Sequence, residues 1–211
     1  MKSERISDNV VARLPAYYRC IEELYHANCI RVSSTTLSEL LGFTAAQVRQ
    51  DFSRFGEFGQ QGYGYNVRKL RYEIREILGL NDRNTCILVG CGNLGQALLR
   101  NFNFEACGFF MVAAFDASET LIGKRISGMV ISDYHSLQQF VHSEQPDMAV
   151  LAVPRQNAKA VADELAEYGV PAIWNFTSEN LSIENVLVEQ VSFVDSLLKL
   201  SYRLSEKRQN N

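Results

Sequence analysis

Thr85-Cys-Ile-Leu-Val-Gly90-Cys-Gly-Asn-Leu-Gly95 carries a charge-free apolar segment straight into G-x-G-x-x-G. Cys86 to Val89 reads as a parallel strand buried on both faces. Gly90 permits a tight turn, Gly92 removes a side chain where backbone must approach a pyrophosphate, and Gly95 lets the next helix pack closely on the strand. Cys91 sits at the motif's variable position. Asn93 and Leu94 open the helix, whose unpaired N–H groups and positive dipole end favour phosphate. Ala97, Leu98, Phe102 and Phe104 are expected to give it an apolar face. A second apolar run, Phe109 to Phe115, ends in Asp116, 21 residues after Gly95. A carboxylate there accepts hydrogen bonds from the ribose hydroxyls of an adenine dinucleotide. It repels a 2′-phosphate, and neighbouring Ala117 and Ser118 offer no cation. The expected ligand is therefore NAD+ or NADH rather than the phosphorylated form.

The chain downstream alternates in the same manner. Met129–Ile131, Met148–Val153, Ala172–Trp174 and Val186–Val191 read as strands. The first leads, with Asp133 or Ser136 as cap, into a helix through Leu137, Phe140 and Val141. Residues 157–168 form a second helix, with Ala158, Val161, Ala162 and Leu165 inward. Gly169 ends it and Pro171 blocks its continuation. This is an α/β pattern, a Rossmann-type doubly wound parallel sheet over residues 85–191. Ligands in such sheets sit at the carboxyl ends of the strands, so Gly90–Gly95, Asp116, Val153, Pro154, Asn175 and Phe176 are expected to cluster. From 192 to 211 the apolar residues Val194, Leu197, Leu198 and Leu204 mark a helix face that Leu200 and Tyr202 broaden. A helix apolar on more than one side needs several partners.

About eighty residues precede the glycine motif. Pro15 stands where the first helical turn needs no N–H donor, and Tyr17, Ile21, Leu24 and Tyr25 follow at helical spacing. Ser33 or Ser34 can cap a second helix with Leu37, Leu40 and Leu41 inward, ended by Gly42. Thr44 opens a third through T-x-x-Q, a capping box with Gln47. Val48, Phe52 and Phe55 face inward. The other face carries Gln47, Arg49, Gln50, Ser53 and Arg54, side chains able to reach base edges and phosphates. Two short helices joined by a glycine turn make a helix-turn-helix. Gly56–Tyr65, with Gln60, Gln61 and Tyr63, reads as a β-hairpin wing, and Val67–Leu78 as a further helix. Residues 1–78 thus read as a winged-helix DNA-binding domain, with 79–84 as linker.

Charge agrees in sign: residues 1–80 carry 11 Lys and Arg against 9 Asp and Glu, and residues 81–211 carry 10 against 15. An excess of two is a weak electrostatic footprint for DNA. There is no signal peptide and no apolar run long enough for a membrane span. The five cysteines have no CxxC or metal-like spacing, so a reduced, cytoplasmic setting is expected, with no metal. Two other classes compete with a DNA-binding sensor. An NAD-dependent oxidoreductase needs a substrate pocket and an acid/base group, yet only some twenty residues follow residue 190. His26, His135 and His142 all fall in or beside helices away from the glycine motif. The third class is a nucleotide-binding scaffold with a protein-binding N-terminal domain.

Six motifs occur in order: Arg13-Leu-Pro-Ala-Tyr-Tyr-Arg19, Val32-Ser-Ser34, Gln47-Val-Arg49 with Asp51-Phe-Ser53, Gly62-Tyr-Gly-Tyr-Asn-Val67, Val89-Gly-Cys-Gly-Asn-Leu-Gly95 and Trp174-Asn-Phe176. Together they resemble the Rex family of bacterial redox-sensing transcriptional repressors, from about residue 10 to about 205. The resemblance implies a homodimer on double-stranded, palindromic operator DNA that NADH closes and releases. It implies a C-terminal helix swapped into the partner subunit. It also implies that Asp195 pairs with Arg13 in one of two states. Departures stand beside it. Gln60 and Gln61 occupy wing positions where the family usually has a cation, Gln50 a position where it often has Lys, and Leu121 another Lys position. Ser178 replaces a common Pro. Fewer cations imply fewer phosphate contacts and a flatter salt dependence.

Overall fold

The computed structural model describes residues 7–55, 59, 60 and 63–209. They form two units, residues 1–82 and 83–211. In the first, α1 (Asp8–Val11) leads into α2 (Leu14–His26), with Pro15 in its first turn. After β1 (Arg31–Val32), α3 (Ser34–Leu41) is capped by Ser33, whose hydroxyl accepts the Thr36 N–H at 2.9 Å. Ser33, not Ser34, is thus the cap. Gly42 closes the helix in the left-handed conformation. Thr44 caps α4 (Ala45–Ser53) by accepting the Gln47 N–H at 3.1 Å. β2 (Gly59–Gln60) and β3 (Gly64–Asn66) pair antiparallel, and β1 adds to the other side of β3. Asn66 then caps α5 (Val67–Ile77).

The core of this unit gathers one face of each helix: Tyr17 and Ile21, Leu37, Val48 and Phe52, and Val67, Leu70 and Ile74. Two expected core residues lie outside it. Tyr25 is at the surface, where the Arg71 guanidinium lies 4.5 Å from its ring centroid. Leu40 is exposed because it falls on the far side of Leu37 from Leu41, which packs against the core.

The second unit is built on a seven-stranded sheet. Its strands are β4 (Asn84–Val89), β5 (Phe109–Asp116), β6 (Arg125–Ile126), β7 (Met129–Asp133), β8 (Met148–Leu151), β9 (Ala172–Asn175) and β10 (Leu187–Gln190), in spatial order β10-β9-β8-β4-β5-β7-β6. All neighbours pair parallel except β6 with β7. Helix α6 (Asn93–Asn101) joins β4 to β5, α7 (Leu137–Glu144) joins β7 to β8, and α8 (Arg155–Glu167) joins β8 to β9. Asp133 caps the 3-10 turn before α7 by accepting the His135 N–H, and Ser136 makes no side-chain cap. β8 stops at Leu151, earlier than expected, and α8 starts at Arg155.

The central strand is buried along Cys86–Val89, as a strand covered on both faces must be. One layer packs Ile87, Val89, Phe115 and Leu151 against α7 and α8. The other packs Cys86, Leu88, Ala114 and Val150 with Leu98, Leu99 and Phe104. Ala97, expected inward on α6, is exposed. The final helix, α9 (Phe193–Gln209), has no buried residue: Phe193, Val194, Leu197, Leu198, Leu200, Tyr202 and Leu204 all face solvent within the single chain. Among the described residues no helix is long and apolar enough to cross a membrane.

Candidate functional site

From β4 the chain steps outward to β5 and β7, then returns to β8 on the other side of β4. The carboxyl ends of β4 and β8 diverge at this reversal, which opens a crevice in sheets of this kind. Gly90 sits at its apex with φ +97°, and a Cβ there would lie 2.6 Å from the Ala152 carbonyl. Gly95 closes the turn: its Cβ would fall 2.0 Å from the Gly90 carbonyl oxygen. Gly92 differs, since a Cβ there meets no protein atom. Its lack of a side chain serves no packing within the chain and leaves room for a ligand. It also starts α6 with no side-chain cap, so the first N–H groups of that helix face outward unpaired.

The crevice is a cleft of ≈760 Å³ that collects Gly90, Gly92, Leu94, Asp116, Val153, Pro154 and Phe176, as the sequence predicts. Leu121, Tyr134 and Glu164 line it as well. Asp116 Oδ2 accepts the Cys91 N–H at 2.6 Å and Oδ1 accepts the Ser118 N–H at 2.8 Å. The carboxylate therefore fixes the glycine loop, and each oxygen keeps a further lone pair for a ligand. Among the described residues the cleft lining includes two carboxylates, Asp116 and Glu164, and no Lys, Arg or His. Glu164 Oε2 accepts the Tyr134 hydroxyl at 2.7 Å and the Tyr168 hydroxyl at 3.3 Å. Chemically, the cleft offers helix N–H groups to a pyrophosphate, a carboxylate to a diol, and apolar walls to a flat ring.

Cys91 belongs to the loop but not to the lining. It is buried, its thiol points at the Phe115 carbonyl, and burial, with the nearby Asp116 carboxylate, pushes the thiol up to about 12. Asn93 and Gly95 shape the helix start without lining the cleft. Asn175 corrects a sequence-based expectation. It is buried, and its amide is spent internally: Nδ2 donates to Gln190 Oε1 at 2.6 Å and to the Glu179 carbonyl at 2.9 Å, while Oδ1 accepts the Thr177 N–H. Asn175 fixes the turn that presents Phe176. Phe176 in turn lines a second hollow of ≈450 Å³, shared with Ser178, Gln190, Phe193, Val194 and Asp195. The start of α9 thus lines a hollow with the same residue, Phe176, that borders the cleft.

In the first unit, Val48 and Phe52 bury one side of α4, which leaves Arg49, Gln50, Ser53 and Arg54 exposed and Gln47 half-buried. Arg49 Nη1 donates to Ser34 Oγ at 3.1 Å, so α3 and α4 share one polar surface. Ser33 and Thr44 use their hydroxyls as caps. Tyr63 is exposed at the tip of the hairpin. Gln60 lies in β2, with its side chain outside the described residues, as is the whole of Gln61. Two residues that support this surface escaped the sequence reading. Arg31, on β1, donates to the Tyr63 carbonyl and places its guanidinium 5.8 Å from the Tyr63 ring centroid. Its only sequence signal is a cation beside Val32-Ser33. The other is Asp51, buried inside α4 and forked by Arg13, with Nε to Oδ2 at 2.7 Å and Nη2 to Oδ1 at 2.8 Å.

Known proteins resemble this arrangement over almost the whole chain. The family model described as putative DNA-binding protein N-terminus matches residues 5–53, and that described as CoA binding domain matches residues 81–179. The redox-sensing transcriptional repressor Rex of Clostridium beijerinckii is 46% identical over 97% of this chain and 98% of its own length. That of Caldanaerobacter subterraneus subsp. tengcongensis is 42% identical over 98% of this chain and 92% of its own. Among solved structures, RSP in complex with beta-NAD+ and operator DNA matches with a TM-score of 0.92 at 41% identity, covering 98% of this chain and 95% of that one. RSP in complex with beta-NADH matches at 0.89 and 38% identity, covering 98% and 97%. With such identity across both units, the chain belongs to the Rex family of redox-sensing transcriptional repressors.

Proposed function

We propose that this protein represses transcription by binding operator DNA as a homodimer in the cytoplasm, and that NADH binding releases it. The observation that carries this reading is the union, in one chain, of two surfaces. One is an exposed row of Arg49, Gln50 and Ser53 on a capped helix; the other is a cleft built for a diol and a pyrophosphate. Relatives crystallised with NAD+ and operator DNA, and with NADH, support it.

NAD(H) suits the cleft better than NADP(H) or coenzyme A. Each of the latter carries a ribose phosphate, and among the described residues no cation in the lining would neutralise it beside Asp116. The adenosine half would occupy the Asp116 side, and the nicotinamide would lie towards Phe176. A repressor is favoured over a dehydrogenase because the same chain carries a DNA-binding type of N-terminal unit and its relatives are redox-sensing transcriptional repressors. The exposed apolar length of α9 is the surface through which two copies pair, swapped into the partner. Two copies of α4 related by a two-fold axis would read a palindromic site, with half-sites about one helical turn or a multiple apart. Asp195 would take Arg13 in one of the two dimer arrangements.

The test is a mobility-shift assay on the DNA upstream of this protein's own coding region. A shifted band that NADH abolishes and NAD+ leaves in place is the expected result. No DNA binding with or without either nucleotide, alongside calorimetric NADH binding, would assign the chain to the oxidoreductase or scaffold class.

A further inference from the structure

α4 turns one face into the core through Val48 and Phe52, and between them it buries a charge. Asp51 is 2% exposed. An unpaired carboxylate is costly in such a place, and this one is paired on both oxygens. Arg13 Nε donates to Oδ2 and Nη2 to Oδ1, a two-pronged fork that fixes the plane of both groups. The Tyr17 hydroxyl adds a third hydrogen bond to Oδ2 at 2.8 Å. Burial pushes the Asp51 carboxyl up, but the Arg13 guanidinium and the Tyr17 hydroxyl outweigh it and hold it below the usual carboxylate range. Burial and the same carboxylate push the Tyr17 hydroxyl up, so it remains a donor.

Apolar packing holds a helix against a core but is non-directional. Val48 and Phe52 alone would permit α4 to roll about its axis. With side chains included, a helix has a radius of about 5–6 Å, so a roll of about 10° moves a side-chain tip by about 1 Å. That is comparable to the whole tolerance of a hydrogen bond to a base edge.

We infer that Asp51 is a positioning residue for base reading: clamped by Arg13 and Tyr17 of α2 and its N-terminal approach, it fixes the roll of α4 and so the aim of Arg49, Gln50 and Ser53. The inference rests on the DNA-reading role proposed above. It makes a prediction opposite in sign to simple electrostatics. Removing a negative charge from a helix that faces phosphates should strengthen DNA binding in general; removing a positioning group should weaken the specific complex alone.

The experiment uses the full-length protein and two duplexes of equal length, one selected from a random pool for tight binding to the native protein and one unrelated. Asp51→Asn keeps the shape and removes the charge. Affinity for the selected duplex should fall at least tenfold, and affinity for the unrelated duplex should hold or rise. Arg13→Lys, which keeps the charge and loses the fork, and Tyr17→Phe, which keeps the ring in the core, should each lower the ratio of selected to unrelated affinity, the latter about threefold. If Asp51→Asn does not fold, these two variants decide the matter. An unchanged ratio in folded variants, or an equal fall on both duplexes, overturns the inference while DNA reading stands. If no duplex is enriched by the native protein, DNA reading itself fails and the inference falls with it.

Discussion

Asp116 performs two tasks with one carboxylate. Its accepted bonds from Cys91 and Ser118 hold the glycine loop, and its remaining lone pairs face the cleft. Hydrogen bonds to a charged group contribute about 1.5–3 kcal/mol, roughly a ten- to hundredfold change in affinity. Asp116→Ala should therefore weaken NADH by about tenfold or more while NADPH gains or holds, since the repulsion is gone. Calorimetry with both nucleotides checks this, and equal native affinities for NADH and NADPH would sink the assignment. Its place in the cleft was legible in the sequence, because a strand end at a set distance from the glycines must lie beside them. Asp51 was not, because an acid inside a helix gives no sign of facing inward until its partner, 38 residues away, is known. Asn175 was misjudged for the converse reason: a polar residue at a strand end looks available until Gln190 and the Glu179 carbonyl are seen to occupy it.

At the scale of elements, the β4–α6 turn separates glycines that the packing of the fold requires from one that it does not. A methyl group at Gly95 would collide with the Gly90 carbonyl at 2.0 Å, so the helix must move off the strand. Overpacking of this kind costs about 1–3 kcal/mol, which in a chain of this size lowers the melting temperature by roughly 2–12 °C. At Gly92 the methyl group meets nothing, and φ −66° suits alanine. Gly92→Ala should melt with the native protein yet lose NADH affinity, whereas Gly95→Ala should lose both. Thermal melts and NADH titrations on the two variants give the answer. A Gly92→Ala protein with native NADH affinity would place the pyrophosphate elsewhere. The larger elements could be read from periodicity and caps, which are local. The two-residue strands β1 and β6 could not, since only their pairing with β3 and β7 makes them strands. The surface positions of Tyr25 and Leu40 likewise depend on which side of each helix the core lies, which tertiary packing decides.

At the scale of the whole molecule, function requires that the two sites share free energy. NADH can shift DNA affinity only by binding one arrangement of the protein better than another. Couplings of this kind are typically about 1–3 kcal/mol, a factor of roughly 5–150. The route is suggested by the hollow in which Phe176, at the border of the cleft, meets Phe193, Val194 and Asp195 at the start of α9. A nicotinamide against Phe176 would bias where α9 sits, and α9 is the exposed apolar surface through which two copies would pair. Arg13 adds a second link. It is held by Asp51 here, so an arrangement that gave Arg13 to Asp195, as proposed, would draw it from its fork on α4. Asp195→Ala should then blunt the effect of NADH on DNA binding and leave NADH affinity without DNA close to native. The governing test is reciprocity. Whatever factor NADH takes from operator affinity, saturating operator must take from NADH affinity. Fluorescence titration of NADH into the free protein and into the operator complex measures it. An NADH dissociation constant unmoved by operator would mean that the two sites do not communicate, however well each binds its own ligand.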